Sequence, residues 1–286
     1  MAYQNVLHWF RKDLRLTDNV PLRHAMDGSA CVIPVYILSD WKKHHGWTGS
    51  IRQQFLCGCL ESLAKNLESM DSRLILRCGK AVEELRRLVD ETRAEAIYFN
   101  RDYDPHGVEM EKQVRAMCRE LGIGCHDFKD RVLHEAGEVL TGSGTEYRVY
   151  TPYSKNWLDQ PKDAPRGRQK SLGQSPPKLD SHPLPTLEHW QLPESGADLP
   201  APGERAASER MTDCLSGSRL TRYALDRNTP AGNTTSRLGQ DLRFGLISIR
   251  ELFHRLQQAR GAGPAPGWGT SNPDWTKSAV RGGWPS

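Results

Sequence analysis

Strand and helix patterns alternate along the first half of this chain, and this alternation limits its fold more than any other feature. Short apolar runs typical of buried strands occupy residues 6–10, 32–38, 74–77, 96–99 and 124–128. Apolar residues at helical spacing fill residues 51–67, 81–92 and 108–121. Such alternation favours a parallel sheet, because each helix carries the chain back to the edge where the previous strand began. We therefore predict an α/β fold with a doubly wound, Rossmann-like parallel sheet.

The second half changes in composition. Nine of the 18 prolines lie between residues 159 and 206, where no regular apolar pattern survives, which is typical of a connection between domains. We expect Trp190 to pin this connection to a domain surface. From residue 204 the pattern becomes helical, and the end is rich in Gly, Pro, Ser and Trp. We predict an α/β domain at 1–131, a connection at 132–203, a helical segment at 204–260 and an anomalous, disordered tail at 261–286.

Bulk properties exclude several classes. A mean hydropathy of −0.65 and the lack of an apolar run of about 20 residues predict a cytoplasmic protein with no membrane partner. We also expect a monomer. The chain has seven cysteines but no C-x-x-C pair, so we expect reduced thiols and no metal site. The net charge of +4 permits nucleic-acid binding without requiring it.

A candidate phosphate-binding segment follows a turn rich in Gly, Asn and Pro. The hydroxyls of Thr235 and Ser236 can donate hydrogen bonds, and the adjacent Arg237 adds a forked positive charge. Leu238 offers its amide, and the phenol of Tyr223 could reach the same phosphate. The alternative from the residues alone is an ordinary helix cap with a solvated arginine.

The most specific string is WFRKDLRLTDN at residues 9–19. Taken singly, its residues predict a turn in which Arg11 and Arg15 pair with Asp13 and Asp18. As a string it resembles the N-terminal signature of the photolyase/cryptochrome family. The segment at 140–157, LTGSGTEYRVYTPYSKNW, and the helical segment at 203–250 are also similar to that family. The chain is identified as a member, like a class I cyclobutane-dimer photolyase that is C-terminally truncated or frame-shifted.

The resemblance implies a fold in which a connection leads from the α/β domain to the incomplete start of an all-α FAD-binding domain. It also implies light-driven electron transfer from reduced FAD that splits cyclobutane pyrimidine dimers in DNA. In the family, residues matching Tyr223, Thr235, Ser236, Arg237 and Leu238 contact FAD, and Gly239 completes the run. Arg227 matches an arginine that contacts a DNA phosphate. Because the matching family residues around the flavin ring would lie further along, we expect this chain to bind FAD poorly and to repair little.

The resemblance also implies an antenna chromophore beside the α/β domain. Arg52, Asp102 and Arg243 occupy positions that can line its cleft, as do His44 and His45. Folate-type members carry an Asn-Glu pair where this chain has His106 and Gly107. We therefore expect a deazaflavin or flavin antenna rather than methenyl-folate.

Two alternatives to a DNA-repair lyase stay open. One is a blue-light photoreceptor of the cryptochrome type, which the N-terminal half does not distinguish from a photolyase. The other is a stand-alone α/β nucleotide-binding module formed by residues 1–130.

Overall fold

A computed structural model describes residues 3–39, 49–173, 178–216, 219–229, 232 and 235–261. Five strands alternate with four helices in the first half: β1 (Tyr3–Phe10), α1 (Val20–Gly28), β2 (Ser29–Leu38), α2 (Ser50–Glu68), β3 (Ile75–Cys78), α3 (Ala81–Thr92), β4 (Ala96–Asn100), α4 (Pro105–Leu121) and β5 (Gly124–Phe128). The strands are all parallel and lie in the order β3-β2-β1-β4-β5. The predicted α/β class and parallel sheet are confirmed.

One helix, α1, escaped prediction because its apolar pattern spans only nine residues between two strands. Local chemistry nevertheless specifies it. The Asn19 side chain accepts a hydrogen bond from the Leu22 amide at 3.3 Å, and Pro21 stands in the first turn, where its missing N–H costs nothing.

The strand order places a switch point between β1 and β4. From β1 the chain moves outward through β2 and β3, then returns to the other side of β1 to add β4 and β5. In open parallel sheets of this kind, the crevice at the carboxyl ends of the two central strands is the usual ligand site. Loops 11–19 and 101–104 therefore flank the crevice.

The sheet is buried on both faces, because neighbouring residues of a strand point to opposite sides. Leu7 and Phe99 pack with α3 and α4, whereas Val6 and Phe10 pack with α2. These four side chains are fully buried. Apolar burial on both faces explains why the strand sequences read as continuous apolar runs rather than alternating ones.

The connection lies against the α/β domain through two apolar anchors. Leu172 is 1% exposed and Trp190 is 7% exposed, and both belong to the core on the α2 side. The His182 amide donates to the Leu76 carbonyl at 2.9 Å, which covers part of the outer edge of β3. The expected role of Trp190 agrees with its burial in a short 3-10 helix, Leu187–Trp190. The anchor Leu172 and the short 3-10 helix were not predicted, because isolated aromatic and aliphatic anchors have no periodicity to detect.

A further helix, α5 (Tyr150–Asp159), precedes the proline-rich stretch. Its Trp157 ring lies 6.0 Å from the ring of Phe253, and the ammonium of Lys162 lies 4.4 Å above the Trp157 ring. The aromatic residues of the 140–157 segment thus include one that packs the connection against the last described helix.

The helical segment contains α6 (Glu204–Ser216), α7 (Arg219–Asp226), α8 (Gly239–Arg243) and α9 (Ile249–Gly261). Ala207, Met211 and Leu246 of this segment belong to the same apolar core as α2. The predicted disordered tail lies outside the described residues from 262 onward. Across the part of the chain that the structure describes, we find no helix with the length and apolar character required to traverse a bilayer.

Candidate functional site

A buried cluster of charges fills the crevice at the switch point. Asp130, just after β5, accepts from Nη2 of Arg15 at 2.6 Å and from Nη2 of Arg250 at 2.5 Å. Burial alone would raise the pKa of Asp130, but the two guanidinium groups outweigh it and hold that pKa below its ordinary value. Arg250 also reaches Asp18, with 3.1 Å between Nε and Oδ2. The cluster therefore joins the sheet to the first turn of α9.

Asp13 is a further buried carboxylate of this region. Its oxygens accept from the Arg11 amide at 2.7 Å, from Asn100 at 2.7 Å and from Asn19 at 3.1 Å. Burial raises its pKa. The fully buried His8 ring lies 4.0 Å from Asp13, and burial lowers the pKa of His8 to about 3, so the ring is neutral. Asp13 is thus fully hydrogen-bonded, whereas both ring nitrogens of the buried His8 have no hydrogen-bond partner among the described residues.

The predicted ion pairs of Arg11 and Arg15 with Asp13 and Asp18 were wrong. Arg11 binds Glu111 at 2.6 Å between Nη1 and Oε1, and Arg15 binds Asp130. Asp18 receives Arg250 instead. Side chains of a turn that caps a parallel strand point across the sheet edge, so their partners come from distant segments that a local reading does not reveal.

Two further contacts hold the helical segment against the turn formed by residues 11–19. Both carboxylate oxygens of Glu204, the first residue of α6, accept from backbone amides, at 3.0 Å from Leu16 and 2.8 Å from Thr17. The Phe244 carbonyl accepts from the Leu14 amide at 3.1 Å. Loop 11–19 thus contacts the starts of α6 and α9 and the end of α8.

The residues predicted to bind FAD lie next to these contacts with loop 11–19. Thr235, Ser236 and Arg237 are exposed, whereas Leu238 is 1% exposed and packs in the core. Gly239 is the first residue of α8. A buried leucine therefore fixes the end of a run whose three polar side chains face outward. Thr234, the hydroxyl residue before Thr235, lies outside the described residues.

The backbone of Arg237 is unusual. Its φ of +49° is in the left-handed region, which non-glycine residues adopt rarely. Its carbonyl accepts from the Gln240 side chain at 2.8 Å. Below it, Asp241 is fully buried and pairs with Arg210 of α6 at 2.6 Å, which ties α8 to α6. The polar run is thus held in a defined turn on a fixed helix.

Tyr223 lies in α7, and Arg227, one helical turn further along, directly follows the end of this helix. The Arg227 amide donates to the Tyr223 carbonyl at 3.0 Å, and the Tyr223 side chain is 39% exposed. Tyr223 and residues 235–239 belong to different helical elements.

The three antenna candidates lie on elements that meet at the carboxyl edge of the sheet. Arg52 in the first turn of α2 and Arg243 at the end of α8 are both exposed. Their elements touch, since the rings of Phe55 and Phe244 are 5.3 Å apart. Asp102 follows β4 and is 6% exposed. His44 and His45 lie outside the described residues.

Asp102 is engaged by cations. It pairs with Lys12 at 2.6 Å and with Arg131, and Nη2 of Arg11 lies 3.7 Å away. Burial alone would raise the pKa of Asp102, but these cations outweigh it and lower the pKa. A Cβ placed on Gly107 would come within 2.5 Å of the Asp102 Cβ, so α4 can approach this carboxylate only because residue 107 is glycine.

Sequence reasoning missed Asp130, Glu204 and Arg250 as parts of this region. Each is a charged residue buried to 7% exposure or less. Glu204 and Arg250 lie in the first turns of helices, where charged residues are ordinary. Nothing in their local pattern distinguishes them from solvated ones.

Comparisons with known proteins agree with this architecture. The family model described as DNA photolyase matches residues 6–171, more than half of the chain. Among curated relatives, deoxyribodipyrimidine photo-lyase of a Synechococcus species is 34% identical over 261 residues, covering 89% of this chain and 54% of its own length. Cryptochrome-1 of Gallus gallus is 29% identical, covering 88% of this chain and 43% of its own length.

A solved structure gives the same result. The crystal structure of a bacterial class III photolyase from Agrobacterium tumefaciens superimposes with a TM-score of 0.78 at 34% identity, covering 89% of this chain and 53% of that one. The chain spans about half the length of these photolyases. The match by the family model over residues 6–171 means that this chain belongs to the photolyase/cryptochrome family.

Proposed function

We propose that the helical segment forms the diphosphate edge of an FAD site. The observation that best supports this proposal is the exposed run of Thr235, Ser236 and Arg237, held in place by the buried Leu238. Two hydroxyls and a guanidinium are a donor set that suits a diphosphate, since charge-assisted hydrogen bonds to phosphate oxygens are among the stronger ones. The positive φ of Arg237 supports the proposal, because local backbone strain often accompanies binding sites.

The other candidates complete this edge. The amide and the apolar side chain of Leu238, the start of α8 at Gly239 and the phenol of Tyr223 are the further groups that we assign to FAD. Thr235 to Arg237 and Tyr223 are open to solvent on the outer side. We expect FAD to bind weakly to these residues alone and repair to be slight, because only the diphosphate edge of the cofactor is assigned to them.

The activity that we propose is light-driven repair of cyclobutane pyrimidine dimers in DNA. FAD, when bound and reduced, would supply the electron that splits the dimer. This chain's own residues would hold the diphosphate and, through Arg227, a DNA phosphate. The proposal rests on the photo-lyase relative at 34% identity, and the class of photolyase is left open.

The domain limits are also proposals. We propose an α/β domain at residues 1–131, a connection at 132–203 and a helical FAD-binding segment at 204–260. The position of Asp130 supports a limit near 131, because this residue lies just after β5, the last strand of the sheet, and binds Arg15 beside β1. A cytoplasmic location is proposed from composition, and a monomeric state is proposed with it.

For the antenna we propose Arg52, Asp102 and Arg243 as ligands of a deazaflavin or flavin. Gly107 supports this choice over methenyl-folate, since any side chain at that position would collide with Asp102. The Lys12 and Arg131 pairs of Asp102 would have to rearrange, or the chromophore would contact the whole cluster.

A cryptochrome-type photoreceptor is the second candidate, favoured by the 29% identity to cryptochrome-1. The stand-alone nucleotide-binding module is less well supported. Its expected crevice at the switch point is filled by Arg15, Asp130 and Arg250, and these bonds tie residues 1–130 to the helical segment.

DNA binding by the full chain tests the repair proposal. We expect tighter binding to a duplex with one thymine dimer than to the undamaged duplex. Arg227→Gln should weaken binding to both duplexes equally, because a phosphate contact carries no sequence information. It should also reduce the slope of log affinity against log salt concentration by about 0.9, because one phosphate contact is lost. The matched control is Arg205→Gln, on the 92% exposed Arg205 side chain. Equal affinity for both duplexes would favour the photoreceptor, and an unchanged salt slope would remove Arg227 from the DNA contact.

A further inference from the structure

Gln240 joins the exposed donor run to the core beneath it. Its side-chain nitrogen Nε2 donates to the Arg237 carbonyl at 2.8 Å and to Oδ2 of Asp241 at 3.1 Å. An amide nitrogen carries two protons, so both bonds can form at once. Gln240 is half-buried in α8, whereas Arg237 is exposed and Asp241 is fully buried. One side chain thus bonds the backbone of the exposed run to a carboxylate of the core.

Asp241 is a fixed acceptor for this amide. Its Oδ1 accepts from Nη2 of Arg210 at 2.6 Å, and its Oδ2 accepts from Nε of the same guanidinium at 3.1 Å. The remaining nitrogen, Nη1 of Arg210, donates to the Ala201 carbonyl at 2.8 Å. A forked guanidinium–carboxylate pair has one preferred geometry. Arg210 in α6, itself bonded to the connection at Ala201, therefore holds the carboxylate that orients Gln240.

The bond from Gln240 acts on the least common backbone conformation of the run. The φ of Arg237, +49°, is one that non-glycine residues keep only where surrounding contacts hold it. Gln240 holds the carbonyl of this residue, and the buried Leu238 fixes the residue that follows. A carbonyl oxygen carries partial negative charge, so its bond to Gln240 also lessens its repulsion of a nearby phosphate.

We propose that Gln240 is a positioning residue of the diphosphate edge, oriented by Asp241 and Arg210. The inference rests on the proposed FAD site, and Gln240 acts on the phosphates only through the backbone of Arg237. Holding that backbone in advance keeps the donors of residues 235–237 in one arrangement, so less conformational freedom is lost when FAD binds. Loss of the bond should therefore weaken FAD binding although no phosphate contact is removed.

Gln240→Met tests this role on the full chain. Methionine keeps the length of the side chain but cannot donate, so the Arg237 carbonyl loses its bond. We expect FAD to bind roughly fivefold more weakly, the effect of one net hydrogen bond, in a ³¹P NMR titration of its diphosphate. The matched control Gln113→Met removes the single bond of an exposed glutamine, to Glu109 at 3.3 Å, and should bind FAD as the wild type does. Equal affinities for the two variants would overturn the proposal.

A double-mutant cycle separates positioning from a general loss of structure. Arg237→Gln alone removes the guanidinium that Gln240 helps to place. Adding Gln240→Met to this variant should weaken FAD binding by less than about twofold further, because the bond acts through a residue whose phosphate contact is already lost. A further loss as large as that of Gln240→Met alone, as independent effects would give, would contradict the positioning role.

Gln240→Glu keeps the proposal testable even if Gln240→Met fails to fold. It preserves the size of the side chain but places an acceptor opposite the Arg237 carbonyl and the Asp241 carboxylate, so it should weaken FAD binding at least as much. Wild-type affinity in Gln240→Glu would overturn the proposal. If Arg237→Gln weakens FAD binding and neither Gln240 variant does, the diphosphate edge stands and the positioning role alone fails. If Arg237→Gln binds FAD as the wild type does, both fail.

Discussion

Asp130 is the residue on which the junction between the sheet and the helical segment depends most. Its two oxygens bind guanidinium groups from opposite ends of the chain, Arg15 before α1 and Arg250 in α9. The Asp130 side chain is fully buried and both arginines are nearly so. Removing one member of such a group leaves uncompensated charge in a poorly solvated place.

We expect Asp130→Asn to lower the free energy of unfolding by about 3–5 kcal/mol, because two buried guanidinium groups lose their carboxylate. Urea unfolding followed by circular dichroism measures this. Glu109→Gln is the control, since Glu109 is exposed and its pair with Lys112 is 3.7 Å long, and it should leave stability unchanged. A similar stability for the two variants would show that the cluster does not hold the junction.

His8 gives the molecule a predictable acid sensitivity. Its folded pKa is about 3, far below the ordinary 6.5, so between these values the unfolded chain takes up a proton that the folded chain does not. Stability therefore falls as the pH drops from 6.5 towards 3, by up to about 1.4 kcal/mol per pH unit. Asp130, with its lowered pKa, adds a loss below 3.8, whereas the raised pKa of Asp13 acts in the opposite direction.

The His8 contribution is isolated by His8→Leu. Urea unfolding at pH 7, 6, 5 and 4 should show a slope with pH that is smaller than in the wild type by about one proton, since leucine does not titrate. The wild-type curve is the reference, because the carboxylates are common to both proteins. Parallel curves would mean that His8 is protonated in the folded state.

At the scale of elements, the turn between α8 and α9 holds residues 235–239, the candidate flavin site, against the edge of the sheet. Gly245 in this turn has a φ of +63°, and a Cβ there would lie 2.1 Å from the Lys12 carbonyl oxygen. The backbone of the turn therefore lies directly on loop 11–19. Leu246 and Ile247 of the same turn are buried in the core and hold it in place.

Gly245→Ala should therefore separate these elements. The new methyl group meets backbone rather than a movable side chain, and its conformation is strained, so we expect a loss of about 1–3 kcal/mol in the free energy of unfolding. Gly142→Ala is the control, because nothing lies within 4 Å of a Cβ at that position. Urea unfolding measures both variants, and equal stability would contradict the direct contact with loop 11–19.

The whole molecule shows which parts of a structure a single sequence can reveal. The five strands and their parallel arrangement were predictable, because burial on both faces leaves continuous apolar runs. Helix α1 and the anchor Leu172 were not predicted, since short or isolated apolar residues leave no periodicity, whereas Trp190 was expected to pin the connection. The polar run before Leu238 was found as a pattern of donors, whereas its attachment through Glu204, Asp130 and Arg250 was not.

The reason for that failure is physical. The contacts that position the flavin candidate join residues more than 100 positions apart, such as Asp130 and Arg250, and each partner is a charged residue that would be equally acceptable in water. The signature at residues 9–19 was correctly taken as the mark of the family. In the structure, this turn binds these distant charged residues and so holds the helical segment at the switch point.

Binding of FAD to the full chain, observed by ³¹P NMR of its diphosphate, tests the central proposal most directly. We expect both phosphorus resonances to shift on titration with the wild-type chain and with the control Arg205→Gln. Arg237→Gln should weaken binding roughly tenfold, the effect of losing one charge-assisted hydrogen bond of about 1.5 kcal/mol. If Arg237→Gln binds FAD as the wild type does, or if the phosphorus resonances do not respond to the protein, residues 235–239 are not the diphosphate edge of a flavin site.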